Sequence, residues 1–240
     1  MVPQQAPVPA QLLPHTLFRN RYYIIGEVGS GGFGSVYKAT DAQSGGRLVA
    51  IKEVKLFGLQ PQVMIEAANA FQREVSLLSQ LDHPNLPHLY EHFRSPEHWY
   101  LVMDFIVGET LEEYQSKVPH RRLLLSEVFN IGLQLCTVLN YLHSQQPPVV
   151  FRDLKPANIM CTPTGQIYLI DFGIARSFKP GQAKDTIALG SLGYAPPEQY
   201  GKAQTTPRSD IYSLGAVLHQ LLTTNDPSEA PFRFTPLRPK

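Results

Sequence analysis

The stretch Val150-Phe151-Arg152-Asp153-Leu154-Lys155-Pro156-Ala157-Asn158 brings a carboxylate, an ammonium and a carboxamide into one short loop. Asp171-Phe172-Gly173 follows it, behind the apolar segment Ile167 to Ile170. These residue types suit the movement of a phosphoryl group. Asp153 is the candidate to orient an attacking hydroxyl and take its proton, help that typically contributes about 10²–10⁴-fold. Lys155 would steady the phosphate during transfer. Asn158 and Asp171 offer oxygen ligands, which suit magnesium better than a softer metal. An Asp-x-Lys-x-x-Asn string alone reads as an ordinary polar turn. The Asp-Phe-Gly behind it, in that order, makes it informative.

A second constellation lies earlier, in Val28-Gly29-Ser30-Gly31-Gly32-Phe33-Gly34-Ser35-Val36. Glycines 29, 31 and 34 let backbone amides approach a triphosphate without a Cβ in the way. The loop joins strand to strand, whereas in a dinucleotide fold such a loop opens a helix. Gly-rich hairpins are common, so this signal is weak by itself. Val36 would cover an adenine as an apolar lid. Lys52 closes Val49-Ala50-Ile51-Lys52, where Ala50 and Lys52 share a strand face. The small Ala50 leaves room for a flat base, and the ammonium could then reach the α- and β-phosphates. Its expected partner is Glu74, which falls on one helix face with Phe71, Val75 and Leu78, while Arg73 does not.

The elements that must hold these residues follow from punctuation and period. Prolines at 3, 7, 9 and 14 mark an extended, mobile arm, with the folded part expected from residue 22. Strands are expected at Tyr22 to Ile25, Ser35 to Thr40, Arg47 to Val54, Leu89 to Phe93 and Trp99 to Met103, with a helix from about Gln62 to Leu81. Beyond Gly108 the period turns helical. Ser126 can cap a helix whose apolar face is Val128, Ile131, Leu135, Val138, Leu139 and Leu142. Short strands at Val149-Val150 and Ile167 to Ile170 bracket the loop of Asp153, and a buried helix is expected from Asp210 to about Leu222. The fold class is α+β in two lobes, mostly strand about 22–106 and mostly helix about 107–222, with a Pro-rich tail over 223–240.

Composition agrees. A chain of 240 residues can bury a core as one large domain or two small lobes. Lys and Arg number 21 against 20 Asp and Glu, so bulk charge argues for neither nucleic acid nor an anionic membrane. Cys136 and Cys161 lie in apolar stretches and read as reduced core thiols of a cytoplasmic protein. No apolar run approaches the roughly 20 residues that span a bilayer, and no signal-peptide pattern opens the chain.

Taken in order, these motifs resemble those of protein kinases, especially the bacterial serine/threonine kinases. The resemblance runs from about Tyr22 to Leu222: the glycine loop, Lys52, Glu74, His83-Pro84-Asn85-Leu86, Met103-Asp104-Phe105-Ile106, Asp153 to Asn158, Asp171 to Gly173, and Ala195-Pro196-Pro197-Glu198. It implies a two-lobed kinase fold that uses ATP and Mg2+ and acts on protein Ser/Thr hydroxyls, Lys155 matching the serine/threonine type. It makes Met103 the gatekeeper of the adenine pocket, gives backbone groups near Asp104 and Ile106 to the base, and adds Met160 to the ATP site. Arg152 before Asp153 implies activation by a phosphate in the 171–198 segment, for which Thr186 is the candidate.

Three departures stand out. Phe151 replaces the family's usual histidine and is expected to stack with Leu78, Leu89 and Phe172. Ser191 replaces the commoner threonine and keeps a hydroxyl near Asp153 and Lys155. The family also continues for roughly three more helices, one carrying an arginine that pairs with the carboxylate here numbered Glu198. Without them, Glu198 is expected to be buried unpaired and Leu214, Val217 and Leu221 to lie uncovered, inviting self-association. Two rival readings remain at this point: a catalytically dead scaffold of kinase-like fold, and a small-molecule phosphotransferase of related fold.

Overall fold

Along Gly34–Asp41 the odd-numbered side chains are buried and the even-numbered ones only partly so, the period-two signature of a strand covered more fully on one face. The computed structural model describes residues 12–31, 34–55, 61–95, 98–172, 176–177, 191–200 and 204–237. They form two compact units, Met1–Val75 with His88–Phe105, and Ser76–Pro87 with Ile106–Lys240.

The first unit is a six-stranded antiparallel sheet: β1 (Leu17–Phe18), β2 (Tyr22–Gly31), β3 (Gly34–Asp41), β4 (Arg47–Lys55), β5 (Leu89–Arg94) and β6 (His98–Asp104), in spatial order β1-β2-β3-β4-β6-β5. Tyr37, Ala39, Val49, Ile51, Tyr100 and Val102 build a fully buried cluster on one face, with Phe18, Tyr22 and Phe93. Helix α1 (Pro61–Leu78) sets Phe71 and Val75 against Val54 and Leu101, with Trp99 and Met103 beside them.

The folded part begins earlier than residue 22. Leu12 and Phe18 are 1% and 5% exposed, and β1 pairs with β2 through Leu17↔Tyr23 and Phe18↔Tyr22. The expected arm therefore gives way to packed chain at residue 12. Its proline content misled because Leu12 and Phe18 supply buried apolar anchors on either side of Pro14.

In the second unit, β7 (Glu109–Thr110) pairs with β9 (Ile159–Cys161), which pairs with β10 (Ile167–Leu169), while β8 (Val149–Val150) pairs with β11 (Arg176–Ser177). Helix α2 (Leu111–Lys117) is capped by Thr110 and Glu113 in a reciprocal box. The expected apolar face of α3 (Leu125–His143) is buried at all six positions. Its cap differs from expectation. Ser126 is inside the helix, and Glu127 reaches back to accept the Leu124 N–H at 2.8 Å.

Helix α4 (Pro207–Thr223) starts before Asp210, with Thr206 as cap and Pro207 at the first helical position. Leu214, Val217 and Leu221 are buried, not uncovered. On its other side, Ile211 is exposed and Leu218 and Leu222 are half-buried, lining a groove with Phe234 and Leu237. The tail beyond α4 is docked: Phe232 packs edge-on against Tyr200, and Phe234 against Tyr212 and His219. Gly193, at φ +83°, sits so close to Pro227 that a Cβ would lie 2.2 Å from its carbonyl. The cysteines are also corrected. Cys136 is exposed and Cys161 half-buried, burial pushing the Cys161 thiol up to about 12. Cys136 falls on the side of α3 away from its apolar stripe. Among the described residues, no helix is long and apolar enough to cross a membrane.

Candidate active site

In the first unit, antiparallel register puts Val36 opposite Lys52 and Lys52 opposite Leu101, then Lys38 opposite Ala50 and Ala50 opposite Met103. Val36, Ala50, Lys52 and Met103 therefore share one sheet face, and each is half-buried. The glycine loop is the expected strand-to-strand hairpin, β2 pairing with β3 down to Gly31↔Gly34. A Cβ at Gly34 would fall 1.7 Å from the Glu53 carbonyl oxygen, so that glycine is required by the close approach of the two backbones where β3 pairs with the end of β4. Gly29 looks into open space, where a Cβ would touch nothing within 4 Å. Val28 is exposed, Ser30 is exposed and Ser35 buried; Gly32 and Phe33 lie outside the described residues.

Lys52 Nζ reaches both oxygens of Glu74, at 2.8 and 2.9 Å. Glu74 is 4% exposed, on the face of α1 that also buries Phe71, Val75 and Leu78. The expected pair is thus formed. Asp104 spends its own N–H on the His88 carbonyl at 3.1 Å, and its carboxylate accepts the His88 N–H and the Tyr90 hydroxyl. Of the Asp104 backbone groups, only the carbonyl is left as a candidate for a base.

The second unit holds the remaining candidates, including Ile106 and Met160, both half-buried. Asp153 is the centre of a dense network. Its Oδ1 accepts the Ser191 hydroxyl at 2.7 Å, and its Oδ2 accepts Asn158 Nδ2 at 2.8 Å and Lys155 Nζ at 3.1 Å. Lys155 also donates to Ser191 Oγ at 2.7 Å. Asn158 Nδ2 donates in addition to the Asp153 carbonyl at 2.9 Å, so its amide hydrogens are engaged and Oδ1 is the atom left for a cation. Ile159 pairs with Leu169 and the Ile170 N–H donates to the Asn158 carbonyl at 3.0 Å. This hairpin therefore carries Asn158 and Asp171 at the same end. Asp171 is exposed at φ +66°, and Phe172, fully buried, meets Phe151 edge-on at 5.0 Å. Gly173 and Thr186 lie outside the described residues.

Two residues that sequence reasoning passed over hold this loop. Arg152 has φ +74°, a left-handed conformation that costs a non-glycine residue about 1–3 kcal/mol. Asp210, fully buried, accepts the Phe151 N–H at 2.9 Å and the Arg152 N–H at 2.8 Å, and it is met by His143 Nε2 at 2.8 Å. The sequence did carry a signal: Asp210 shares the helical face of Leu214, Val217 and Leu221, where an acid has no reason to sit unless it is bonded. Gln199, 3% exposed, donates to the Arg152 carbonyl.

The Glu198 expectation is overturned. The carboxylate is half-exposed and accepts the Ser209 hydroxyl at 2.8 Å, in the first turn of α4. A hydroxyl and solvent serve where an arginine was expected, and Arg208 is exposed.

Residues 22–233 match the family model described as a protein kinase domain. The chain belongs to the protein kinase family. Among curated kinases it is 34% identical over 212 residues to the probable serine/threonine-protein kinase PknB of Lactococcus lactis, covering 88% of this chain and 33% of that protein. It is 36% identical over 208 residues to the serine/threonine-protein kinase PrkC of Bacillus subtilis, covering 86% and 31%. The serine/threonine-protein kinase PknA of a Nostoc species is 34% identical over 224 residues, covering 89% and 39%. This kinase chain thus spans about a third of the length of these relatives. The two units carry the kinase fold, a curled antiparallel sheet with one helix and a mostly helical unit.

Proposed function

We propose that this chain is a serine/threonine protein kinase that transfers the γ-phosphate of ATP to protein hydroxyls. The observation that carries the reading is the network on Asp153. A carboxylate offers about four acceptor sites, and three are filled by Ser191, Asn158 and Lys155. The remaining one, on Oδ1, suits the hydroxyl of a substrate serine or threonine.

In the step, the substrate oxygen forms a bond to Pγ as the bond from Pγ to the β,γ-bridging oxygen breaks, and ADP leaves with that electron pair. The hydroxyl proton passes to Asp153. Lys155, with two N–H groups on Ser191 and Asp153, has a third for a γ-phosphate oxygen. Lys52, oriented by Glu74, serves the α- and β-phosphates, and Val36, Ala50 and Met103 form an apolar bed for the adenine, with the Asp104 carbonyl as a partner for the base. The Asn158 Oδ1 and the Asp171 carboxylate fit Mg2+, a hard cation that takes oxygen ligands and fills its other positions with water and phosphate. When bound, the ion neutralises charge on the phosphates.

Protein substrates are favoured over small molecules by the Ala195-Pro196-Pro197-Glu198 segment, bonded to α4 through Ser209, while Ser213 Oγ donates to the carbonyl of the preceding Tyr194 at 2.9 Å. The same reading makes the chain cytoplasmic and gives Thr186 the role of an activating phosphosite. The test is label transfer from γ-labelled ATP to casein, followed by phosphoamino-acid identification. Label on serine or threonine is expected. Label only on small acceptors would favour the small-molecule enzyme, and no transfer under any magnesium or manganese condition would favour the scaffold.

A further inference from the structure

The residue before the candidate catalytic Asp153 is gripped on both sides of its peptide plane pair. Its N–H is held by Asp210, and its carbonyl by the side chain that directly follows the Ala-Pro-Pro-Glu segment. That side chain is Gln199, in the 3-10 turn Pro197–Tyr200. Its Nε2 donates to the Arg152 carbonyl at 2.5 Å, and the residue is 3% exposed. The orientation of the amide follows from its partner, because the reverse would set oxygen against oxygen. The Oε1 atom is buried with no partner among the described residues. A buried glutamine with one end unsatisfied is poorly explained by core packing, where an apolar residue would avoid the desolvation of that oxygen.

We infer that Gln199 is a positioning residue that couples the peptide-docking segment to the catalytic loop. Arg152 holds a left-handed backbone that it would otherwise leave, and the direction of the Asp153 side chain depends on the peptide plane between the two residues. Asp210 fixes the plane before Arg152, since it binds the Phe151 and Arg152 N–H groups. Gln199 fixes the plane after it. The turn that carries Gln199 also carries Glu198, bonded to Ser209, and Tyr200, packed on Phe232. A displacement of the docking segment is therefore transmitted to Asp153 through one amide. Only the ordered segment gives the carboxylate its transferring geometry.

The inference rests on the kinase reading for its activity readout, and a second readout keeps the two separable. Gln199→Met preserves volume and removes the donor; Gln199→Glu preserves shape and can donate only when protonated. With the full chain, Gln199→Met is expected to lower kcat for casein about tenfold, the loss of one buried hydrogen bond. The KM for ATP and the melting shift caused by magnesium-ATP stay at parent values. The activity of Gln199→Glu relative to the parent is expected to rise as pH falls from 8 to 6, because burial raises a carboxyl pKa and the protonated acid restores the donor. Amide hydrogen exchange over residues 151–155 is expected to quicken in Gln199→Met. Parent-like kcat and a flat Gln199→Glu ratio would overturn the coupling. If the parent transfers no phosphate, the kinase reading fails, and unchanged exchange over 151–155 would then overturn the positioning role on its own.

Discussion

Ser191 donates its hydroxyl to Oδ1 of Asp153 at 2.7 Å. Its Oγ in turn accepts from Lys155 Nζ at 2.7 Å, so one hydroxyl sets both the carboxylate and the ammonium. Ser191→Ala is expected to lower kcat about tenfold, one charge-assisted hydrogen bond, while Ser191→Thr keeps the parent rate. Steady-state phosphorylation of casein by the three proteins is the check, and equal rates in all three would remove Ser191 from the machinery.

Lys52 and Glu74 form the ion pair expected to receive the nucleotide. Magnesium-ATP at one hundred times its Kd is expected to stabilise the parent by about 2.7 kcal/mol, read as a rise in Tm. Lys52→Ala should lose most of that rise, and Glu74→Gln part of it. An undiminished rise in Lys52→Ala would contradict the assignment.

Arg21 and Asp41 make the acid-sensitive contact of the first unit. Arg21 Nε and Nη2 donate to the two Asp41 oxygens at 2.8 and 2.7 Å, and this bonding holds the carboxyl well below the usual carboxylate range. A depressed native pKa stabilises the fold above the unfolded value, about 3.9, and that contribution is lost as pH falls through the native value. Asp41→Asn is therefore expected to lower stability by about 1–3 kcal/mol at pH 7 and by progressively less below pH 4. Urea unfolding of both proteins at pH 7, 4 and 2 reads the difference, and a gap independent of pH would refute the pairing.

Asp210→Ala removes the acceptor of two backbone N–H groups and the partner of His143. Leaving a buried donor without its acceptor costs about 1–3 kcal/mol each, so about 2–6 kcal/mol for the two N–H groups, against the about 5–15 kcal/mol that a domain has in total. A drop of that size in denaturant unfolding is expected, together with loss of transfer activity. A drop below about 1 kcal/mol would show that the loop holds its left-handed turn without Asp210.

Leu214, Val217 and Leu221, from which self-association was first expected, are buried, and exposed apolar side chains stand on α3 instead. Leu125, Phe129 and Leu133 are 60%, 64% and 66% exposed at successive turns of α3. Light scattering is expected to show concentration-dependent association of the parent and its reduction in Phe129→Glu. A parent that stays monomeric at high concentration would exclude it.

The candidate reacting groups stand out in the sequence because each is a residue type that phosphoryl transfer needs, in an order that few other folds use. Lys52 and Glu74 can be paired from the sequence because Lys52 shares a strand face with the small Ala50 and Glu74 a helix face with Phe71, Val75 and Leu78. The supporting groups were harder to see. Asp210 and Gln199 act on main-chain atoms of residues far away in sequence, His143 acts on the Asp210 carboxylate, and nothing local marks a carbonyl or N–H that needs a partner. Asp210 betrayed itself only as an acid on a buried helical face. Element ends drifted for a related reason. Thr206-Pro207 starts α4 before its apolar period begins, and Glu127 caps α3 from inside the helix. Glu198 was misjudged because the partner looked for was a cation, and a hydroxyl at a helix start serves instead.

The most direct measurement is the single-turnover rate of phosphate transfer from magnesium-ATP to casein, for the parent and for Asp153→Asn. Removal of general-base help predicts a rate about 10²–10⁴-fold lower in Asp153→Asn, with the magnesium-ATP melting shift retained. Equal rates in the two proteins, or a parent that binds ATP and transfers nothing, would contradict the assignment of this chain as an active kinase with Asp153 at its centre.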